Sequence, residues 1–234
     1  MLRSAARVGC LSWALAPCQA RGMSADPAIA RSDDPRVAEP LAAGWVVTAR
    51  SWGAQLDAAD VDPVRLRTLV DRVAGYAVLR ELGPADVGAI LALDAATLDD
   101  YPGSPATRHA GLTADSARVP APGRRGYGAF DAVGALLAMT FVDLDPAGSA
   151  AETDVTVVDA AHRGRGLGTA VKAASVRGLL EAGVTSFRTG GSSENAAIIA
   201  AGTALGYRID EEWLTLRAPE AAGEPGPEPE PADG

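Results

Sequence analysis

The sequence predicts an α/β protein with a mixed central sheet flanked by helices. Three observations carry that expectation. β-Branched runs alternate with helical stretches from residue 76 onward, the pattern of a layered α/β domain. The last two helical stretches are each followed by a glycine stop, Gly183 and Gly206. Residues 151–168, AETDVTVVDAAHRGRGLG, read as a strand, a glycine-rich turn and a helix start, an arrangement that holds anions.

The chain of 234 residues has room for one ordinary domain plus tails, and at 47% hydrophobic it can bury a core. A formal net charge of −9 argues against a nucleic-acid surface, which needs clustered Lys and Arg. Cys10 and Cys18 are the only cysteines, and neither His109 nor His162 has zinc-ligand spacing. A disulfide framework or metal cluster is therefore not expected, which suits the cytoplasm. Residues 1–22 carry three arginines and a short apolar centre, compatible with a weak leader. The preferred reading makes them an upstream extension before a start at Met23. Their apolar run is too short to span a membrane, and nothing else resembles a transmembrane helix.

Residues 24–40, rich in Pro, Asp and Arg, read as disordered, so 1–40 form a tail. Residues 44–56 alternate like a strand, and Asp62-Pro63 marks a helix start with Leu66, Leu69, Val70 and Val73 on one face. Together, 41–75 read as an N-terminal appendage to a main domain at 76–217. In that domain residues 76–82 predict a strand. A helix from Gly83-Pro84 follows, with Val87, Ile90, Leu91, Asp94 and Leu98 on its stripe and Asp94 at the edge of the face. A short helix is expected near 113–119, then a hairpin of 126–131 and 135–142, and a strand at 152–158. The helix 166–182 presents Leu167, Ala170, Val171, Ala174 and Gly178 on one face. A strand at 184–189, a turn at 190–193, a helix at 195–205 and one or two strands over 207–217 complete the domain. Residues 218–234 are acidic and proline-rich and read as a disordered tail.

In the glycine-rich turn, Gly168 is followed by Thr169-Ala170 rather than Lys-Ser/Thr, so it is not a P-loop. Gly164, Gly166 and Gly168 are spaced G-x-G-x-G, so it is not the dinucleotide fingerprint either. Arg163, Gly166 and Gly168 instead form R-x-x-G-x-G. Asn195-Ala196-Ala197-Ile198 leading to Leu205-Gly206-Tyr207 forms a second signature at the right separation. With both motifs the chain resembles the GNAT superfamily of N-acetyltransferases over residues 76–217, most closely over 151–207.

That resemblance implies the GNAT acyltransferase fold, acetyl-CoA as cosubstrate and an amine acceptor. From charge, apolar-run length and Cys/His spacing, no nucleic-acid, membrane or metal partner is expected, and a homodimer is possible. It also implies a bulge that splays the strand before the loop from its neighbour, freeing backbone groups for the cofactor. Val157 and Val158 would pair with the pantetheine arm. Arg163, Gly164, Arg165, Gly166, Leu167, Gly168 and Thr169 would wrap the pyrophosphate, and Asn195 would touch the cofactor arm. Glu152 and Asp154, on one face by strand alternation, are the candidate general bases, Glu152 first. Both also fit as polar residues at a sheet edge. Many members place a thiolate-protonating tyrosine seven residues after the asparagine; here that position is Gly202, Tyr207 reads as core, and water would serve instead. Asp99, Asp100, Tyr101 and His109 are candidates for the acceptor side. The alternatives are a catalytically weak acyl-CoA-binding regulatory module and an unrelated phosphate binder sharing the loop. A further echo, Gly44-Trp45 with Trp52 against Gly206-Tyr207 with Trp213, suggests that 44–56 is an added strand or the remnant of a half-domain.

Overall fold

The computed structural model describes residues 27–100 and 104–219. The expectations for residues 1–26, for Tyr101 and for 220–234 lie outside them. The chain runs β1 (Ala28–Arg31), α1 (Ala38–Ala42), β2 (Val46–Asp57), α2 (Pro63–Asp71), β3 (Val78–Glu81) and α3 (Val87–Thr97). It continues through β4 (Arg124–Phe130), β5 (Leu136–Leu144), β6 (Ala150–Val158), α4 (Leu167–Glu181), β7 (Ser186–Ser192), α5 (Ala196–Leu205) and β8 (Arg208–Arg217). Among the described residues, eight strands join one sheet in the order β1-β8-β2-β7-β6-β5-β4-β3. Of these strands, only β6 and β7 pair in parallel. The mixed α/β architecture is the one the sequence predicts.

Local chemistry sets the helix ends. The Asp62 carboxylate accepts from the N–H groups of Val64 and Arg65, and Pro63 occupies the first turn of α2. Asn195 caps α5 through the Ile198 N–H, and Gly206 ends that helix at φ 101°. Helix α4 packs its small and apolar residues on the sheet, with Leu167, Ala170, Val171, Ala173 and Val176 all buried.

Four expectations are corrected. Residues 41–75 are not an appendage: β2 is an interior strand, paired antiparallel with β7 on one side and β8 on the other. Its alternation announces a strand, but its partners lie far along the chain. The reading of 44–56 from its Gly-aromatic echo falls with the appendage, because β2 lies inside the sheet and away from either edge; residues 208–217 form a single strand, β8. Residues 28–40 are not all disordered, because β1 adds to the edge of β8 and Val37 packs on Leu214 and Leu216. Residues 114–117 form a turn, not a helix. The side chains of Thr113 and Ser116 take up each other's backbone N–H groups, which offers the chain an alternative to helix. Residues 190–192 are strand rather than turn, for a steric reason. A Cβ at Gly190 would lie 2.6 Å from the Trp52 carbonyl oxygen, so only glycine lets β2 come alongside. Gly190→Ala is therefore expected to destabilise the protein by about 2–3 kcal/mol, as overpacking against backbone does. Urea titration would read this as a lower midpoint; an unchanged midpoint would mean that β2 is not held there.

Candidate active site

Strands β6 and β7 pair only from Ala150↔Ser186 to Glu152↔Arg188. Immediately beyond, β6 bulges: Val142 faces Thr153 and Phe141 faces Val155, leaving Asp154 unmatched. The bulge reverses the faces of the strand. Ala151 packs in the cluster with Ala173 and Val176 of α4, whereas Val155 and Val157 pack with Ile90 and Leu93 of α3. The two strands then diverge, and a cleft of about 950 Å³ opens along them. Its walls are β6 and β7 at their parting, residues 51–53 of β2, the loop 105–113, and the start of α5.

At the end of β6 stands the glycine-rich loop. Gly164 and Gly166 have φ of 74° and 82°, a left-handed backbone that a Cβ resists. Among the described residues, no acceptor is found for the backbone N–H groups of residues 164–169. Six successive donors beside a helix N-terminus form a concave anion cradle. Arg163 braces it: its Nε donates to the Val158 carbonyl at 3.1 Å and its guanidinium meets Asp100 at 2.6 Å. The Val158 carbonyl is therefore already engaged, contrary to the expectation of free backbone there. Arg165 lies over the Tyr76 ring, 5.0 Å from its centroid.

Glu152 and Asp154 both line the cleft, but they differ. Asp154 accepts from Arg124 at 2.5 Å, and the same guanidinium holds Asp143 at 2.6 Å. Glu152 has no hydrogen-bond or ion-pair partner among the described residues. Burial pushes its carboxyl above the usual range; the negative charges of Asp143, Glu211 and Asp154 add to this, and Arg188 opposes it. Asn195 lines the cleft with its Oδ1 committed to the α5 cap.

On the acceptor side, His109 lines the cleft and meets Asp94 at 2.6 Å through Nε2. Asp94 is buried rather than at the edge of the α3 face. Its second oxygen accepts from the Leu112 N–H at 2.6 Å, so the carboxylate pins the loop to α3. Asp100 is spent on Arg163, and Asp99 is not among the cleft residues.

Gly202 has a steric partner. A Cβ there would meet the Trp52 ring at 3.8 Å, so the indole of β2 occupies the space beside it. Tyr207 is buried, and burial raises its hydroxyl pKa well above the ordinary value.

Sequence reasoning missed Lys172. It is 1% exposed yet lines the cleft from below, and its Nζ donates to Thr153 Oγ1 at 3.1 Å and Thr189 Oγ1 at 3.0 Å. Those threonines are the first residues of β6 and β7 beyond their last pair. Burial lowers the ammonium pKa to about 7. The available signal was its isolation, the lone charge in LGTAVKAASV on a helix otherwise built to be covered.

This architecture is the fold of GNAT acetyltransferases. A tandem GNAT protein from the clavulanic acid biosynthesis pathway, solved without AcCoA, superposes with a TM-score of 0.56 at 23% identity, over 82% of this chain and 62% of its own. A GCN5-related N-acetyltransferase from Kribbella flavida gives 0.55 at 15% identity, over 80% and 65%. A GNAT-family acetyltransferase from Streptococcus pneumoniae gives 0.50 at 13%, over 60% of this chain and 97% of its own. The chain thus spans somewhat under two thirds of the first two. No protein-family model and no curated protein matches the sequence. Among the described residues, no helix is long and apolar enough to cross a membrane.

Proposed function

We propose that the protein transfers the acetyl group of acetyl-CoA to a primary amine of a small molecule or protein, by direct attack on the thioester. One observation carries the reading. The parallel pair β6–β7 opens after three residue pairs beside a loop with six unengaged N–H donors. An anion bound there would lead an extended arm straight into the parting of the strands.

The residues fit that ligand in a consistent way. Gly164 to Thr169 would hold the pyrophosphate through backbone N–H groups, with Arg165 adding charge and Arg163 keeping the loop in place. The bulged stretch of β6, with Val157 and the N–H of Val158, would offer main-chain partners to the pantetheine arm, while the Val158 carbonyl stays with Arg163. Glu152 would take the proton of the attacking amine, directly or through water, because burial raises its pKa and no partner among the described residues engages it, whereas Arg124 holds Asp154. Asp154 would instead hold Arg124, and His109 on Asp94 would help shape the acceptor pocket.

Calorimetry with acetyl-CoA, ATP and NAD, followed by thiol release with a broad amine panel, tests the reading. Binding of acetyl-CoA alone and release with some amines is expected. Binding without release from any amine would favour a regulatory acyl-CoA-binding module, and preference for ATP or NAD would remove both. Gly166→Val should weaken acetyl-CoA binding about tenfold or more, since a β-branched residue at φ 82° is strained by roughly 1–3 kcal/mol and displaces the cradle. Unchanged affinity would place the pyrophosphate elsewhere.

A further inference from the structure

We propose that Lys172 is the proton donor to the thiolate that leaves when the thioester is cleaved. This deepens the acetyl-transfer reading and rests on it.

The argument begins with place. Thr153 and Thr189 mark the point where β6 and β7 part, and Lys172 Nζ is bonded to both hydroxyls. An arm entering from the loop toward Glu152 would bring its sulfur to this apex. An ammonium has three donors, of which the two threonines take two, so one N–H would be left for a sulfur brought to the apex. Other donors serve less well. Gly202 carries no hydroxyl and is covered by Trp52, Tyr207 holds its proton too tightly, and arginine does not release one. His109 stands on the loop wall, tied to Asp94.

The charged and titratable groups that line the cleft with Lys172 are Arg108 and His109 on the loop, Arg124 on β4, Asp143 on β5, Glu152 and Asp154 on β6, Arg188 on β7 and Glu211 on β8, and the Tyr207 ring centroid is 5.9 Å from Nζ. Helix α5 has no titratable residue, and α2 brings Arg65, Arg67 and Asp71. None of these forms an ion pair with Lys172, so the amine is governed by burial, with a pKa of about 7. That is below the ~8.5 of an unperturbed thiol, so transfer to a departing thiolate is downhill.

The step balances. As the carbonyl–sulfur bond breaks, the electron pair goes to sulfur and the Lys172 proton follows, giving a free thiol and a neutral amine. Glu152 has taken one proton from the attacking amine. After release, Glu152 loses its proton to water and Lys172 regains one.

Two measurements test this. In single-turnover thiol release, the wild-type rate should fall as pH rises through about 7, the Lys172 value. Lys172→Met should lower the rate about 10²-fold, as loss of a general acid does, and abolish that alkaline limb, with acetyl-CoA affinity within about threefold. In the wild-type protein carrying 13C-lysine, the one lysine resonance should change its titration with CoA and not with desulfo-CoA, which lacks the sulfur. Lys172 is the only lysine in the chain, so no variant is needed for assignment and a misfolded variant does not block the test. Identical titrations with the two ligands, an unchanged alkaline limb, or stable acetylation of Lys172 would overturn the proposal. Absence of turnover with every amine would count against acetyl transfer, while the CoA comparison would still decide the place of Lys172.

Discussion

Glu152→Gln is expected to lower the turnover of amine acetylation by about 10²–10³-fold near neutral pH, the range lost with a general base. Affinity for acetyl-CoA should stay within about threefold, because Glu152 lies at the far end of β6 from the loop and engages none of its donors. The amide has the shape of the carboxylate and removes only the site that takes the proton. Since Glu152 makes no ion pair or hydrogen bond within the described residues, the fold loses nothing comparable. The pH profile gives the sharper readout. The wild-type rate should rise with pH through a value above the ordinary carboxylate range, because burial and the nearby acids disfavour the ionised form. That acidic limb should vanish in the variant. Asp154→Asn is the companion measurement. It leaves Arg124, half-buried and already with an unpartnered buried Nε, holding only Asp143, so its principal effect should be on stability. If Asp154→Asn abolishes the limb and Glu152→Gln keeps it, the two carboxylates have been assigned the wrong way round.

The division between the legible and illegible parts of this protein follows the range of the interactions involved. Caps, glycine stops and the loop are local: Asp62, Asn195, Gly166 and Gly206 each act within a few residues, and each does in the structure what its type and position suggest. Long-range pairing is not local. Nothing in residues 44–56 indicates that this stretch enters between β7 and β8, and Gly190-Gly191 resembles a turn until Trp52 is seen beside it. The site divides in the same way. Strand alternation places Glu152 and Asp154 on the cleft side, but only the fold brings Arg124 from β4 to occupy one of them. Asp94 looks like an edge residue until His109 and Leu112 arrive to satisfy it. Lys172 was hidden because a charge in a covered helix carries no sign of which strands will part above it.

Lys172→Met is expected to stabilise the folded protein at neutral pH, with a gain that shrinks as pH rises. The folded-state pKa of Lys172 falls from 10.5 to about 7. Between those values the unfolded chain binds a proton that the folded chain does not, so wild-type stability climbs with pH across that window. Below about pH 7 both states are protonated and the penalty for burying the ammonium is complete. At 1.36 kcal/mol per unit, the change over the window is on the order of 3–5 kcal/mol. Methionine matches the length of the stem and carries no charge, so the variant escapes this term. It also leaves the hydroxyls of Thr153 and Thr189 without their donor, a loss of about 1–2 kcal/mol at every pH. The balance favours Lys172→Met at pH 7 and turns toward wild type near pH 10. Urea titrations of both proteins at the two pH values measure the difference directly. A difference independent of pH would mean that water reaches the amine and keeps it charged, and the apex would then be wetter than the contacts of Lys172 imply. A falling difference would show that the fold tolerates a destabilising cation where β6 and β7 part, at a point where an apolar side chain would make the protein more stable, which is the pattern of a residue kept for chemistry rather than for packing.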